Sequence, residues 1–489
     1  MSDVLDRITA NKRNKKKKSH KNHKFSEYSN IKLERLNTLD SLNSSNIGRD
    51  YTIKKENIKK LMNNEIAEDL CNKHSFIYLK GALYYYNNII YTKLDKHTGI
   101  SLLKELLPSG LVKSLSSYDY AEILSQIKTN PSIQRNEDNI KDQDHLICFK
   151  NGIYDLKKEK LKPHTSKNYF FSYINLDYDP ENIGSGHVFE KYLDTCACSN
   201  KKIKKLLLEM LGYIISNSMH AEKIFFILGI QNSGKTTLGN FIQHLIGREN
   251  CCNIQPQDFS KRFQTSQLLG KKLCFNMELL DSPIKETGLL KQLSGGDMIT
   301  AEYKNENSFS FKNQAKLLYG CNNLPRVNGS ENAKAFFSRL IIIPFNYSVP
   351  PEEQNKNLIR DLIKESNYIV HKSIIALKEL YENNHIFTTC NSIEKIKNEF
   401  IESQNNVIEF VNHKCIIDAE SKIHSETLYN SYIKFCKENS YTEFDIVNLS
   451  RFSYIIANNF NLKKKKWRPQ NATREDSSKN GFIGIALKS

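Results

Sequence analysis

Residues 225–241 read FFILGIQNSGKTTLGNF, an apolar run that breaks into a glycine-framed loop and resumes in a helical pattern. The loop fits G-x-x-x-x-G-K-[ST] through Gly229, Gly234, Lys235 and Thr236. Each residue type has a physical task. The glycines let backbone N–H groups turn inward around phosphate oxygens, the Lys235 ammonium reaches the β- and γ-phosphates, and the Thr236 hydroxyl holds Mg2+. Asn232, Ser233 and Thr237 complete the expected phosphate cradle. The preceding KIFFIL predicts a buried strand, and TTLGNFIQHLIG predicts a helix that ends at Gly247. Phosphate would then meet a helix N-terminus. The expected ligands are ATP and Mg2+, and alternating strand and helix patterns over residues 221–346 predict a parallel-sheet α/β domain.

A phosphate loop alone does not separate a kinase, a GTPase and a motor. KKLCFNMELLD (271–281) puts Glu278 behind an apolar strand, where its carboxylate can accept a bond from a metal-bound or attacking water. LLYGCNNLP (317–325) ends a further strand in Asn322 and Asn323, an amide position that can touch the γ-phosphate. AFFSRLIIIPF (335–345) sets Arg339 before another strand, a position from which it can serve a neighbouring subunit's γ-phosphate. A strand-end acid, a strand-end amide and a surface arginine are each the ordinary alternative, and only their order and spacing favour the catalytic reading. No N-K-x-D stands at a suitable place, which counts against a guanine-specific switch.

The run from FILGIQNSGKTT through NMELLDSP, LKQLSGGDMITAEYKNENSFSF, LLYGCNNLP and FFSRLIIIPF resembles superfamily 3 helicases. The nearest branch is that of phage and plasmid primase-helicases and poxvirus-type primase-helicases. FKNGIYDLKKEKLKPHTSKNYF is similar to the element ahead of the motor in that branch. The resemblance covers residues 146–346 well and the C-terminal unit more loosely. It implies a P-loop AAA+-like motor that works as a hexamer, with Gly229 to Thr237 as the Walker A loop and Glu278 as the Walker B acid. Asn322 would be the sensor and Arg339 the arginine finger. Lys304 would grip single-stranded DNA from a hairpin in a central pore; the residues themselves alternate in strand fashion on both sides of KNEN, which reads equally as a surface hairpin. Many Walker B strands end in two acids, whereas Asn276 and Met277 precede Glu278 here, so the group that orients the water stays open.

Lys and Arg outnumber Asp and Glu by 71 to 54, a net charge of +17 that favours a polyanionic partner, nucleic acid before membrane. The excess gathers in KRNKKKKSHKNHK (12–24) and KKKKWRPQNATR (463–474). The first reads as a loose basic tail over residues 1–50, with no secretory apolar core behind it. Residues 51–200 read as a mixed α+β region, 201–350 as the motor, 351–405 as a helical lid and 406–489 as a winged-helix-like unit. In the last, SETLYNSYIKFCKEN and NLSRFSYIIANNF predict helices capped by Ser425 and Asn448, and KKKKWRP with GFIGIALK predicts a strand pair. Arg451, Lys463, Lys464, Lys465, Lys466 and Arg468 are its candidate duplex-DNA contacts, against the plainer reading of a lid with a basic loop.

Asp142, Asp144 and His145 invite a primase metal site, but too little sequence precedes them for that domain, and the reading is rejected. Eleven scattered cysteines lack zinc-ligand spacing and read as thiols in a reducing compartment. No stretch approaches the roughly 18–20 apolar residues of a membrane span. The expectation is a replication-initiator helicase of a phage or mobile element, cytoplasmic in a bacterial host, recruited to origin duplex and aided by replication accessory proteins. The rivals are an ATP-assembled origin-binding scaffold and a viral RNA helicase.

Overall fold

The computed structural model describes residues 50–136, 143–280, 282–304, 308–327, 334–439, 441, 443, 446–468 and 478–488. The basic tail of residues 12–24, Asp142 and residues 469–474 of the second basic run lie outside them. Two units form, one of residues up to 142 with Thr165–Phe171, the other of Gln143–His164 with Ser172–Ser489.

In the first unit, SFIYLKGALYYYNNIIYTKL folds as a meander of β1 (Phe76–Leu79), β2 (Ala82–Tyr86) and β3 (Tyr91–Leu94), and β4 (Gln134–Arg135) joins β1 in parallel. Lys80 and Gly81 both take positive φ (50° and 77°) in the β1–β2 turn, as a two-residue hairpin requires. Phe76 and Leu83 pack with Leu103, Ile123 and Ile127 from helices Lys96–Leu106 and Ser117–Thr129. Asp95 and Ser116 start those helices with capping boxes.

The second unit opens with the antiparallel β5 (Leu146–Phe149), β6 (Gly152–Asp155) and β7 (Lys160–Lys162). The turn falls at Lys150-Asn151, and Gly152 already pairs with Phe149. Glycine is needed there because a Cβ would meet the Lys162 carbonyl oxygen at 2.6 Å. Ile147, Phe149 and Tyr154 belong to the same core as Leu206, Met210 and Ile214 of helix Lys201–Ile215.

Five parallel strands make the central sheet: β8 (Ile224–Gly229), β9 (Cys251–Cys252), β10 (Leu273–Asn276), β13 (Lys316–Cys321) and β14 (Leu340–Phe345), in the order β14-β8-β13-β10-β9. Their near-continuous apolar sequences suit a sheet covered on both faces. Ile224 pairs with both Leu317 and Leu340, so the C-terminal ends of three strands fall on one edge. Strands β11 (Met298–Ala301) and β12 (Phe309–Lys312) form an antiparallel hairpin.

The C-terminal unit has more structure than its sequence pattern predicts. A helix Asn406–Lys414 and strand β15 (Cys415–His424) precede helices Ser425–Glu438 and Leu449–Asn459, followed by β16 (Lys463–Trp467) and β17 (Lys479–Leu487). β17 lies between the other two strands. Asn448 caps its helix by accepting the Arg451 N–H at 2.9 Å, as expected. Ser425 does not cap: it is the first helical residue, because β15 runs extended through His424. Among the described residues no helix is long and apolar enough to cross a membrane.

Two lysines are buried under the sheet edge opposite the glycine loop. Lys272 Nζ donates to the Ser216 carbonyl (3.0 Å) and Asn217 Oδ1 (2.9 Å), while Lys316 Nζ donates to the same carbonyl (3.4 Å) and stands 5.0 Å from the Tyr213 ring centroid. Burial pushes the Lys272 ammonium down to about 8 from an ordinary 10.5. Below pH 8 both folded and unfolded chains hold this proton; between 8 and 10.5 the unfolded chain holds more, so stability rises with pH. Lys272→Met is expected to flatten that rise in urea-unfolding midpoints measured from pH 8 to 10.5. An unchanged slope would mean that Lys272 does not titrate in this window.

Candidate nucleotide site

The parallel register delivers three strand ends to one edge, and each carries a residue singled out in the sequence. Gly229 ends β8, Asn322 follows β13 and Glu278 follows β10. At Gly229 a Cβ would meet the Phe345 carbonyl oxygen at 2.6 Å, so no other residue fits between β8 and β14. Asn232 (φ 59°) and Gly234 (φ 91°) take left-handed conformations that bend the loop back on itself, and Gly234 caps the helix Lys235–Ile246. The loop is pinned from two sides. The Ser348 hydroxyl donates to the Gln231 carbonyl (2.9 Å) and the Val349 N–H to the Asn232 carbonyl (3.1 Å). From helix His187–Cys196, the Tyr192 hydroxyl donates to the Gly234 carbonyl (3.0 Å) and the Cys196 thiol to that of Ser233 (3.7 Å).

Lys235 begins the helix and is 8% exposed. Its ammonium donates to the Gly229 carbonyl (2.6 Å), the Ile230 carbonyl (2.8 Å) and Asn322 Oδ1 (3.0 Å). All three acceptors are neutral. Burial lowers the Lys235 pKa, and Cys321 and then Glu278 oppose that shift. Ser233 Oγ is buried with no partner among the described residues. A buried cation on neutral oxygens beside an orphaned hydroxyl fits an anionic ligand, and the exposed Thr236 faces the same cleft. The cleft measures about 1660 Å³ and also includes His187, Lys191, Asn323 and Tyr347.

The unusual NME sequence has a packing explanation. Met277 is buried between the loop helix and β13: a Cβ at Gly239 would meet its Cγ at 2.4 Å, and one at Gly320 its carbonyl oxygen at 2.8 Å. Asn276 turns back, its Oδ1 accepting the Glu278 N–H (2.8 Å) and its Nδ2 donating to Asn253 Oδ1 (2.7 Å). Glu278 is left exposed at the cleft as the one carboxylate near Lys235 among these three residues.

The other candidates lie elsewhere. Arg339 ends helix Lys334–Arg339 immediately before β14, at the opposite sheet edge from the loop. Six strand residues at ~3.3 Å each put it roughly 20 Å from its own Gly229, out of reach of Lys235. Its Nη2 pairs with Glu222 Oε2 at 2.7 Å. Lys304 is exposed on the turn after β11, with Tyr303 stacked on Phe309 beneath it. Arg451 is exposed on helix Leu449–Asn459, 5.4 Å from the Tyr454 ring centroid. Lys463, Lys464, Lys465 and Lys466 are all exposed along β16, as is Arg468 beyond it. Asp144 is spent on His220 (3.2 Å), and no group of three or more metal-ligating side chains occurs among the described residues.

Known proteins resemble this chain along most of its length. Residues 51–212 match the family "D5 N terminal like" and residues 402–484 the family "Poxvirus D5 protein-like", which together span half of the 489 residues. The chain thus carries domains of the poxvirus D5 primase-helicase type. Residues 227–339, between those two segments, match a family of unknown function, DUF5906. It is 22% identical over 267 residues to "Putative helicase L207/L206" of Acanthamoeba polyphaga mimivirus, 51% of this chain and 26% of that protein. It is 24% identical over 213 residues to "Putative helicase 121R" of Invertebrate iridescent virus 3, 41% of this chain and 22% of that protein. The chain thus spans a minor part of the length of both relatives. A solved structure of the NrS-1 C terminal region aligns over 86% of this chain and 98% of its own, at 11% identity and a TM-score of 0.45.

Sequence reasoning missed Tyr192, Cys196, Ser348 and Val349, which hold the loop from outside it. Tyr192 and Cys196 do show an i,i+4 apolar spacing in HVFEKYLDTC, but nothing in that spacing names the surface they cover. Replacing Lys235 by Ala is expected to end MgATP hydrolysis while the urea-unfolding free energy stays within about 1 kcal/mol, since the change removes a desolvated cation. Retained hydrolysis would detach this loop from catalysis.

Proposed function

We propose that this chain is an ATP-driven DNA helicase that works in replicating a viral or mobile-element genome. The observation that carries the reading is Lys235, a buried cation resting on neutral oxygens, with Asn322 on it and Glu278 beside it. A scaffold that only binds ATP needs the loop; the amide and the carboxylate are what hydrolysis adds. MgATP would take the Lys235 ammonium and the loop N–H groups, with Thr236 and Glu278 at the metal.

The sheet order β14-β8-β13-β10-β9, with the loop after its second strand, supports a P-loop AAA+-like motor of superfamily 3. The C-terminal order helix, strand, helix, helix, strand, strand, with β17 central, supports a winged helix. Arg339 stands too far from its own loop to act there, which supports service to a neighbour's γ-phosphate in a ring, proposed as a hexamer. Lys304, on an exposed hairpin turn, would face single-stranded DNA in the ring's pore. The winged helix would dock on origin duplex, with Arg451 at the groove and the β16 lysines and Arg468 on phosphate. Accessory replication proteins are proposed partners.

Strand separation on a forked DNA duplex, compared with an RNA fork, tests the reading directly. Lys304→Ala is expected to keep MgATP hydrolysis and lose DNA unwinding. Exchanging Lys463–Lys466 and Arg468 for Ser should weaken duplex binding and reduce the log–log salt slope by roughly 0.9 for each phosphate no longer neutralised, with preformed forks still unwound. ATP hydrolysis without separation of either fork would return the chain to the scaffold reading.

A further inference from the structure

We propose that Glu222 is a positioning residue that holds Arg339 for the nucleotide site of the next subunit, an inference that rests on the trans-acting role proposed above. Glu222 and Arg339 stand at the starts of adjacent parallel strands, since Ile224 pairs with Leu340. Glu222 Oε2 receives Arg339 Nη2 at 2.7 Å, and Nη1 donates to the Ala335 carbonyl at 3.1 Å. Nε is buried with no partner among the described residues. Two guanidinium nitrogens are thereby fixed while each keeps a second N–H, the forked pair that binds a phosphoryl group.

The grip extends along the chain on both sides of Arg339. Lys223 Nζ donates to the Ser338 carbonyl (2.9 Å) and Lys397 Nζ to that of Leu340 (3.1 Å). Three consecutive residues, 338 to 340, are thus each held by a charged side chain. Both lysines are half-buried, and burial lowers their pKa values. Glu222 itself adopts φ 53° in a turn closed by its N–H to the Met219 carbonyl (3.0 Å). A non-glycine residue in that conformation carries a backbone cost. Here the strained turn delivers a carboxylate to the guanidinium. Because Glu222 leads directly into β8, and β8 ends in the phosphate loop, one strand joins a subunit's own loop to the arginine it offers its neighbour.

The test uses the full-length protein with MgATP. Glu222→Ala is expected to lower kcat by at least about tenfold, part of the loss typical of a missing arginine finger, with KM for ATP within about twofold. Glu222→Gln, which keeps an acceptor for Nη2 and guards against misfolding, should fall between wild type and Glu222→Ala. Subunit mixing supplies the readout that a general structural defect would not move. Glu222→Ala mixed with Lys235→Ala should regain activity, because an intact loop then meets an intact Arg339 at some interfaces. Mixed with Arg339→Ala it should not, because no interface receives a held arginine. Loss of activity in Arg339→Ala with wild-type rates in both Glu222 variants would overturn this inference alone. Rescue of Glu222→Ala by Arg339→Ala would also overturn it, placing Glu222 in its own subunit's site. Full activity in Arg339→Ala would overturn the trans-acting reading beneath it.

Discussion

The site depends on one register. Ile224 of β8 faces Leu317 of β13 on one side and Leu340 of β14 on the other, all parallel. From that alignment it follows that Gly229, Asn322 and the residues after Phe345 leave the sheet together, and that Lys235 finds the Asn322 amide at 3.0 Å. Both faces of these strands are packed, so a slip of one residue would send every core side chain to the opposite face, where it would not fit. The geometry of the candidate site is therefore secured by the same burial that secures the core: Phe225, Ile227, Leu317, Leu318, Ile342 and Ile343 are all buried.

Inside the loop, electrostatics and sterics divide the work. Glycine at 229 is demanded by the Phe345 carbonyl, and glycine at 234 by a left-handed turn in contact with Tyr192. The cost of burying an ammonium is offset by three hydrogen bonds to neutral oxygens, which hold the charge in place without cancelling it. A carboxylate in contact would have quenched the cation; burial instead lowers the Lys235 pKa, with Cys321 and then Glu278 opposing it.

What the sequence made legible was periodic or local. The loop, the strand before it and the helix after it follow from spacing, and Leu206, Met210 and Ile214 are fully buried on helix Lys201–Ile215, as their helical spacing predicts. Glu278 and Asn322 were legible because each ends an apolar run. Long-range contacts were not. The need for Gly152 comes from a carbonyl ten residues away, which no local spacing shows. Strand β15 reads CIIDAESKIH, with Ile416 and Ile417 more than half exposed, and a strand with no clean alternation gives no period to detect. Its pairing to β17 also shifts register between Ile417 and Lys422.

The nucleotide edge is tied to the C-terminal unit by short polar links. Asn322 lies four residues before Arg326, whose carbonyl accepts the Ile284 N–H at 2.7 Å, from the segment that follows Glu278. The Arg326 guanidinium donates to the Asn439 carbonyl at 3.3 Å and sits 5.3 Å from the Tyr441 ring centroid, and the Tyr441 hydroxyl bonds Glu409 of helix Asn406–Lys414. The next residue, Val327, donates its N–H to Gln404 Oε1 at 2.8 Å. The loop after β13 and the segment after Glu278 therefore converge on one arginine, and that arginine is held by the unit that carries β16. Partly exposed hydrogen bonds of this kind contribute only modestly to stability one by one. Their arrangement here matters for geometry: the residue touching Lys235 and the helix opening the C-terminal unit are separated by one short loop with its far end anchored.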